Sequence, residues 1–214
     1  MRFRGAIFDL DGTLLDSMGV WDEIDVAFLS RRGFAVPEDY AQVIIPLSFR
    51  ETAVYTIERF GLAETPEAVM AEWTRMAEEA YAFRVEPKPY AAELLRRWKA
   101  RGVKLAVATA SHEALFVPAL RRAGLYECFD AVTTLAEVAR GKGFPDIYQR
   151  TAEKLALPPR DCLVLEDILA GIRGARAGGF QTAAVADPSN RRDQEALARE
   201  ADAFLSDFSE ALLW

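Results

Sequence analysis

The stretch AIFDLDGT, residues 6–13, decides how this chain folds. Its apolar residues 6–8 predict a short buried strand, and Gly12 predicts the turn that ends it, because glycine enters tight turns at little steric cost. Alternate strand residues point to one face, so Asp9 and Asp11 would share a face if the strand continued. Two carboxylates so close need a cation or a proton between them. Since an Asp-Gly turn alone does not require Asp9, the pair indicates a functional site.

The composition is that of an ordinary globular protein, with 51% hydrophobic and 28% charged residues. A net charge of −7 argues against nucleic acid as the main partner. Two cysteines, Cys128 and Cys162, are too few for a disulfide framework, so we expect a reducing cytoplasm. The first apolar run breaks at Asp9, which is too early for a signal peptide or a membrane span. We therefore expect a cytoplasmic monomer with no membrane partner.

Residues 16–87 read as an acidic helical insert. Ser48 and Glu51 fit a capping box, and Thr65-Pro66 fits the start of a further helix. Pro37 and Pro46 predict a loop between the first two helices. Because this segment interrupts a chain that otherwise alternates strands and helices, the sequence predicts a helical cap at 16–87 and a core at 1–15 and 88–214.

After Pro89 the hydrophobic pattern alternates between helix and strand, which favours a doubly wound parallel sheet with right-handed crossovers. The predicted strands are 103–108, 130–135, 163–165, 181–186 and 203–205. The predicted helices are 90–101, 112–123, 145–155 and 168–177. Such sheets bind ligands at the carboxyl ends of their strands, so the chemistry should follow each strand.

Polar residues do follow the strands in this way. Residues 109–111 (Thr-Ala-Ser), Lys142 and the pair Glu166-Asp167 come after three successive predicted strands. Taken singly, Thr109 could cap a helix, Lys142 could be a surface lysine, and the acidic pair could complement a helix dipole. Their common position at strand ends, together with Asp9 and Asp11, indicates one site at one sheet edge.

With these motifs in order, the chain resembles the haloacid dehalogenase-type superfamily of aspartate-nucleophile hydrolases. The matching residues are 9–13, Thr109, Lys142, and Glu166-Asp167 with Gly171. The insert resembles the helical-bundle cap of the branch that contains beta-phosphoglucomutase and phosphoglycolate phosphatase-like enzymes. The resemblance implies a Rossmann-like core, Mg²⁺, and hydrolysis of a small phosphorylated metabolite.

The residues can be given roles on this basis. Asp9 would be the nucleophile that forms an aspartyl-phosphate, and Asp11 would be the general acid and base. Phosphate binding is assigned to Thr109, Ala110 and Lys142, and metal binding to Asp9, Asp11 (through its carbonyl), Glu166 and Asp167. Mg²⁺ prefers oxygen ligands of this kind and bridges carboxylate to phosphate.

Two positions depart from the branch pattern, because Gly143 replaces the usual proline after the lysine and Ile168 replaces a small polar residue after the acidic pair. A phosphomutase of this branch would carry a histidine on the first cap helix, about where Trp21 stands here. The only histidine in the chain is His112. This favours a phosphatase over a phosphomutase. A 2-haloacid dehalogenase would not need an acid two residues after the nucleophile, and the intact set of Asp9, Asp11, Lys142 and Asp167 argues against a non-enzymatic phosphate-binding module.

Substrate selection is assigned to the cap and to the phosphate loop. Arg50 is the candidate contact to an anionic substrate, and its alternative is a surface arginine paired with a cap glutamate. Trp21, Ser111 and His112 are the further candidates.

Overall fold

A computed structural model describes residues 2–44 and 47–214. The chain forms two compact units, one made of Met1–Ser17 with Val85–Trp214 and the other of Met18–Arg84. The predicted insert, 16–87, is slightly longer at both ends than the second unit. The reason is main-chain pairing within the first unit, where Asp16 N–H donates to Glu86 O at 2.9 Å and Leu15 forms a bridge with Pro87.

The first unit contains a six-stranded parallel sheet in the order β3-β2-β1-β4-β5-β6. The strands are β1 Gly5–Phe8, β2 Lys104–Thr109, β3 Ala131–Thr134, β4 Cys162–Glu166, β5 Gln181–Val185 and β6 Ala203–Leu205. All four residues of β1 are buried, as expected for a central strand covered on both faces. The chain order reverses between β1 and β4, and this is where sheets of this topology bind ligands. The predicted doubly wound, Rossmann-like core is confirmed.

Nine α-helices lie within the described residues of the two units. The second unit contains α1 Gly19–Ser30, α2 Tyr40–Ile44, α3 Phe49–Phe60 and α4 Pro66–Phe83. The first unit contains α5 Ala91–Ala100, α6 Glu113–Arg122, α7 Asp146–Lys154, α8 Leu169–Ala177 and α9 Gln194–Glu200. Within residues 2–44 and 47–214, no helix has the length and apolar character that crossing a bilayer requires.

Two of these helices were not predicted. The α2 helix lies in the region that the sequence assigned to a loop, and Pro46 of that assignment lies outside the described residues. Each of these helices has one buried residue, Tyr40 in α2 and Leu197 in α9. A helix with a single apolar anchor shows no helical periodicity, so neither could be recognised from its pattern.

The capping signals of the second unit are present as predicted. Ser48 Oγ accepts from Glu51 N–H at 3.3 Å, and Glu51 Oε2 accepts from Ser48 N–H at 2.8 Å, which together make the capping box of α3. Thr65 Oγ1 accepts from Ala68 N–H at 3.3 Å at the start of α4. These bonds satisfy main-chain donors that a helix start otherwise leaves without partners.

The partly buried Asp25 on α1 gives this unit a pH dependence. Burial, reinforced by the charge of Asp22, raises the pKa of Asp25 to about 6 from its ordinary value of 3.8. The folded state favours protonated Asp25, so this contribution to stability is complete below the pKa that Asp25 has in the unfolded chain. It is lost as the pH rises through the pKa of about 6 in the folded protein. We expect Asp25→Asn to stabilise the protein by about 1 kcal/mol at pH 8 and by less at pH 5.

Thermal unfolding at the two pH values measures this effect. The control is Asp16→Asn, which removes an exposed charge that is not a cause of the shift of Asp25 and should change the melting temperature less. An equal gain for Asp25→Asn at both pH values would contradict the shifted pKa.

Candidate active site

The site begins where the central strands end. Asp9 directly follows β1, and its N–H donates to Leu165 O of β4 at 3.0 Å, which prolongs the sheet pairing by one bond. Glu166 is the last residue of β4, and Asp167 follows it. Because β1 and β4 are paired neighbours, carboxylate oxygens of Asp9, Glu166 and Asp167 lie within 4.8 Å of one another. All three side chains are buried.

Among the described residues, Lys142 contributes the one ammonium group that contacts this cluster of carboxylates. Its Nζ donates to Asp9 Oδ1, and it donates to Glu166 Oε1 at 2.6 Å. The side chain is only 8% exposed, so these two carboxylates, rather than water, stabilise its charge.

Two glycines of α8 allow the cluster to assemble. A Cβ atom at Gly174 would lie 2.1 Å from the carbonyl oxygen of Lys142, and a Cβ atom at Gly171 would lie 2.5 Å from the carboxyl carbon of Glu166. Only glycine leaves room for this close approach. The Gly171 noted in the sequence motif therefore makes space for a buried carboxylate.

Two hydroxyl groups complete the contacts, and the sequence did not reveal either role. Thr13 Oγ1 lies 3.1 Å from Asp9 Oδ2 and 3.0 Å from Asp167 Oδ1, so it links the residue after β1 to the acidic pair after β4. Tyr148 of α7 donates its phenol to Glu166 Oε1 at 2.8 Å. Thr13 stands in the quoted motif, but Tyr148 has the spacing of an ordinary core residue and gave no signal.

Asp11 has two hydroxyl partners of its own. Ser17 Oγ donates to its Oδ1 at 2.7 Å, and Ser111 Oγ donates to its Oδ2. β1 ends at Phe8 and the chain then turns through Gly12, whose φ is +76°, as the sequence predicts, so Asp11 lies in this turn rather than on a continued strand. Two serine hydroxyls, from Ser17 and from the loop after β2, fix the orientation of its carboxylate.

The loop after β2 contains the other residues predicted to hold phosphate. Thr109 is buried at the end of β2, and its Oγ1 accepts from Ser111 N–H at 3.0 Å. Ala110 is exposed between them, and the exposed His112 precedes the first residue of α6. Ser111 thus donates its main-chain N–H to Thr109 and its hydroxyl to Asp11.

The remaining two predicted residues belong to the unit Met18–Arg84. Trp21 is 39% exposed and packs edge-on against Phe49, with ring centroids 6.0 Å apart. Arg50 forms an ion pair with Glu67 at 2.5 Å, which is the arrangement expected of a surface arginine. A substrate contact of either residue stays a prediction.

The electrostatics of the cluster favour a bound cation. Burial, together with the neighbouring carboxylates, raises the pKa of Asp9 well above its ordinary value and that of Asp167 to about 6. Burial opposes the charge of Lys142, but Asp9 and Glu166 more than offset it and raise the pKa of the ammonium. Three ionised carboxylates and one ammonium would leave a surplus of two negative charges.

An oxygen atom without a partner points to the same conclusion. Glu166 Oε2 is buried and has no hydrogen-bond partner among the residues that the structure describes. A buried carboxylate oxygen is costly unless a donor or a cation reaches it. The all-oxygen donor set, the charge surplus and this oxygen together fit a hard divalent cation.

Comparisons with known proteins agree with this geometry. Residues 3–179 match the family model of the haloacid dehalogenase-like hydrolases. The chain is similar to the fructose-1-phosphate phosphatase YqaB of Escherichia coli, with 32% identity over 84% of this chain and 94% of that protein. It is also similar to hexitol phosphatase A of E. coli, with 30% identity over 89% of this chain and 86% of that protein.

A solved structure extends the similarity to the whole fold. A Thermotoga maritima protein provisionally described as a beta-phosphoglucomutase superposes with a TM-score of 0.87, at 25% identity, over 99% of this chain and 97% of that one. The family resemblance inferred from the motifs is confirmed. The chain belongs to the haloacid dehalogenase-like hydrolase family and is a phosphoric monoester hydrolase.

Proposed function

We propose that this protein hydrolyses a small phosphorylated sugar or sugar alcohol with Mg²⁺ as cofactor, through an aspartyl-phosphate on Asp9. The observation that supports this best is the contact of Asp9 with Lys142 beside Glu166 and Asp167, at the carboxyl end of the central strand. The two E. coli relatives, named as phosphatases of fructose 1-phosphate and of hexitol phosphates, support this substrate class.

The proposed metal ligands are the carboxylates of Asp9, Glu166 and Asp167 and the main-chain carbonyl of Asp11. Mg²⁺ bound by these oxygens would offset the repulsion between the carboxylates and the phosphate dianion. Thr13 holds two of the carboxylates in place, and Tyr148 holds the third.

In the first step an oxygen of Asp9 attacks phosphorus, and the bond between phosphorus and the ester oxygen breaks. The proton on Asp11 passes to that oxygen, so the sugar leaves as an alcohol rather than as an alkoxide. Lys142 is placed to stabilise negative charge on the phosphoryl group as well as on Asp9. The phosphate loop, with Thr109 and the Ala110 amide, binds the same group.

In the second step a water molecule attacks the phosphorus of the aspartyl-phosphate. Asp11 takes the proton of this water, the bond to Asp9 breaks, and inorganic phosphate leaves. The unit Met18–Arg84 would act as a cap that excludes bulk water. The candidates for substrate selection are Trp21 and Arg50 of this unit, together with Ser111 and His112 of the loop after β2. The cytoplasmic location and the monomeric state stay predictions from the sequence.

The acid–base role of Asp11 gives the test of this function. The purified protein should release inorganic phosphate from sugar phosphates in Mg²⁺, and a chelator should stop the release. We expect Asp11→Asn to lower kcat by about 10²- to 10⁴-fold for alkyl phosphates and much less for an aryl phosphate, whose leaving group needs less protonation. A phosphate-release assay on both substrates measures the difference.

The matched control for this variant is Asp16→Asn, which changes an exposed aspartate a few residues further along the same segment. It should leave both rates unchanged. Equal losses on alkyl and aryl substrates would contradict the role of Asp11, and full activity in chelator would contradict the metal.

A phosphomutase is the second candidate, favoured by the similarity to the T. maritima protein. Such an enzyme would return the phosphoryl group from Asp9 to another hydroxyl of a sugar. Phosphorus NMR of a reaction with a hexose 1-phosphate separates the two, because a phosphatase yields free phosphate and a mutase yields a phosphate ester at another position.

A further inference from the structure

Asp167 is held from two sides, and only one of them belongs to the motifs described above. Thr13 contacts its carboxylate, whereas Asn190 Nδ2 donates to its main-chain carbonyl at 2.8 Å. The same Nδ2 donates to Val185 O at 3.1 Å. Val185 ends β5 and Asp167 follows β4, so one side-chain amide ties together the ends of two neighbouring strands.

The orientation of this amide is fixed by its partners. Asn190 Oδ1 accepts from Asp187 N–H at 3.2 Å. The two carbonyl groups can only accept and the N–H can only donate, so a flipped amide would lose these bonds. Asn190 is 7% exposed, and water offers little replacement for the lost partners.

A buried ion pair supports Asn190 in turn. Asp187 is 3% exposed, and its Oδ2 lies 2.7 Å from Lys88 Nζ. Its Oδ1 accepts from the main-chain N–H of Ser189 at 2.8 Å and from the Ser189 hydroxyl at 2.6 Å. These donors fix the turn that presents Asn190 to Asp167.

Lys88 links this turn to the loop of the nucleophile. Its Nζ donates to Ala186 O at 2.8 Å, and its main-chain N–H donates to Leu14 O at 2.9 Å. The path Leu14–Lys88–Asp187–Asn190–Asp167 therefore joins the loop after β1 to the acidic pair by a route that does not pass through the catalytic groups.

We propose that Asn190 is a positioning residue that fixes the main chain of Asp167 and so sets the affinity of the site for a divalent cation. The inference rests on the metal site of the proposed function. A carboxylate ligand holds a metal well only when its own position is fixed, and partners one shell further out commonly change metal affinity 10- to 100-fold. Asp187 and Lys88 act through Asn190.

The test measures Mg²⁺ binding rather than turnover. Isothermal titration of the purified protein with MgCl₂ gives the dissociation constant, and thermal unfolding in chelator gives the stability without metal. We expect Asn190→Ala to weaken Mg²⁺ binding about 10-fold. The matched control is Asp193→Asn, which changes an exposed side chain just after the same turn and leaves both bonds of Asn190 in place. Its dissociation constant should stay within about twofold of that of the wild type.

If Asn190→Ala does not fold, Asn190→Ser replaces it, because its hydroxyl is too short to reach both carbonyl groups while a polar group remains in the turn. Equal dissociation constants for the wild type and the Asn190 variant overturn the proposal, and so does a loss of stability with unchanged affinity. A wild type that binds no Mg²⁺ contradicts the metal site itself, which separates failure of the proposed function from failure of the role of Asn190.

Discussion

Asp9→Asn should fold like the wild type and lose phosphate release by at least about 10⁴-fold. The amide keeps the shape of the side chain but lacks the charge that attacks phosphorus. Burial and the neighbouring carboxylates raise the pKa of Asp9 well above its ordinary value despite the opposing charge of Lys142, so the folded protein without metal disfavours the ionised form. Glu166 still pairs with Lys142 in the variant. In chelator, the variant should therefore melt at or above the temperature of the wild type.

Steady-state phosphate release and thermal unfolding in chelator check both parts of this expectation. The exposed Asp16→Asn variant controls for a change of net charge in the same segment. Activity near that of the wild type would remove Asp9 as the nucleophile, and a large drop in melting temperature would show that the charge is structural.

Lys142→Met is the second change with a large expected effect. It leaves Asp9 and Glu166 buried without the ammonium that both contact. Breaking a buried pair by removing one partner costs about 3–5 kcal/mol, so we expect a loss of this order at pH 8 in chelator. The loss should shrink as the pH falls, because protonation removes the unpaired charges, and activity should fall about 10³-fold.

Urea unfolding at pH 8 and pH 5, with chelator and with Mg²⁺, measures the effect. The matched control is Lys154→Met. That lysine also has two oxygen partners, Val132 O and Glu137, but it lies at the surface, where such a pair is worth about 0–1 kcal/mol. Equal losses for the two variants, or a loss independent of pH, would contradict the account of the buried cluster.

The residues of the cluster could be predicted because the order of parallel strands determines which residues come together. In a parallel sheet, whatever follows each strand comes to one edge, so Asp9, Lys142 and Asp167 could be placed together from strand order alone. Their contacts in the structure follow from the pairing of β1 with β4 and from the close approach of α8.

The supporting residues could not be found in this way. Thr13, Ser17 and Tyr148 act through side-chain contacts whose partners depend on loop geometry rather than on periodicity. Asn190 lies in a short 3₁₀ turn that has no hydrophobic pattern. The two serine contacts of Asp11 could not be predicted either, because they depend on the geometry of the turn at Gly12 and of the loop after β2.

The two glycines of α8 set a limit on engineering this protein. Replacing helical glycines by alanine is a standard route to thermostability, and the gain in helix propensity is about 1 kcal/mol for each. At positions 171 and 174, however, the added methyl group would meet the carboxylate of Glu166 and the main chain of Lys142. A sequence optimised for the helix alone would therefore displace two groups to which we assign a part in metal and phosphate binding, so both positions should be excluded from any stabilising library.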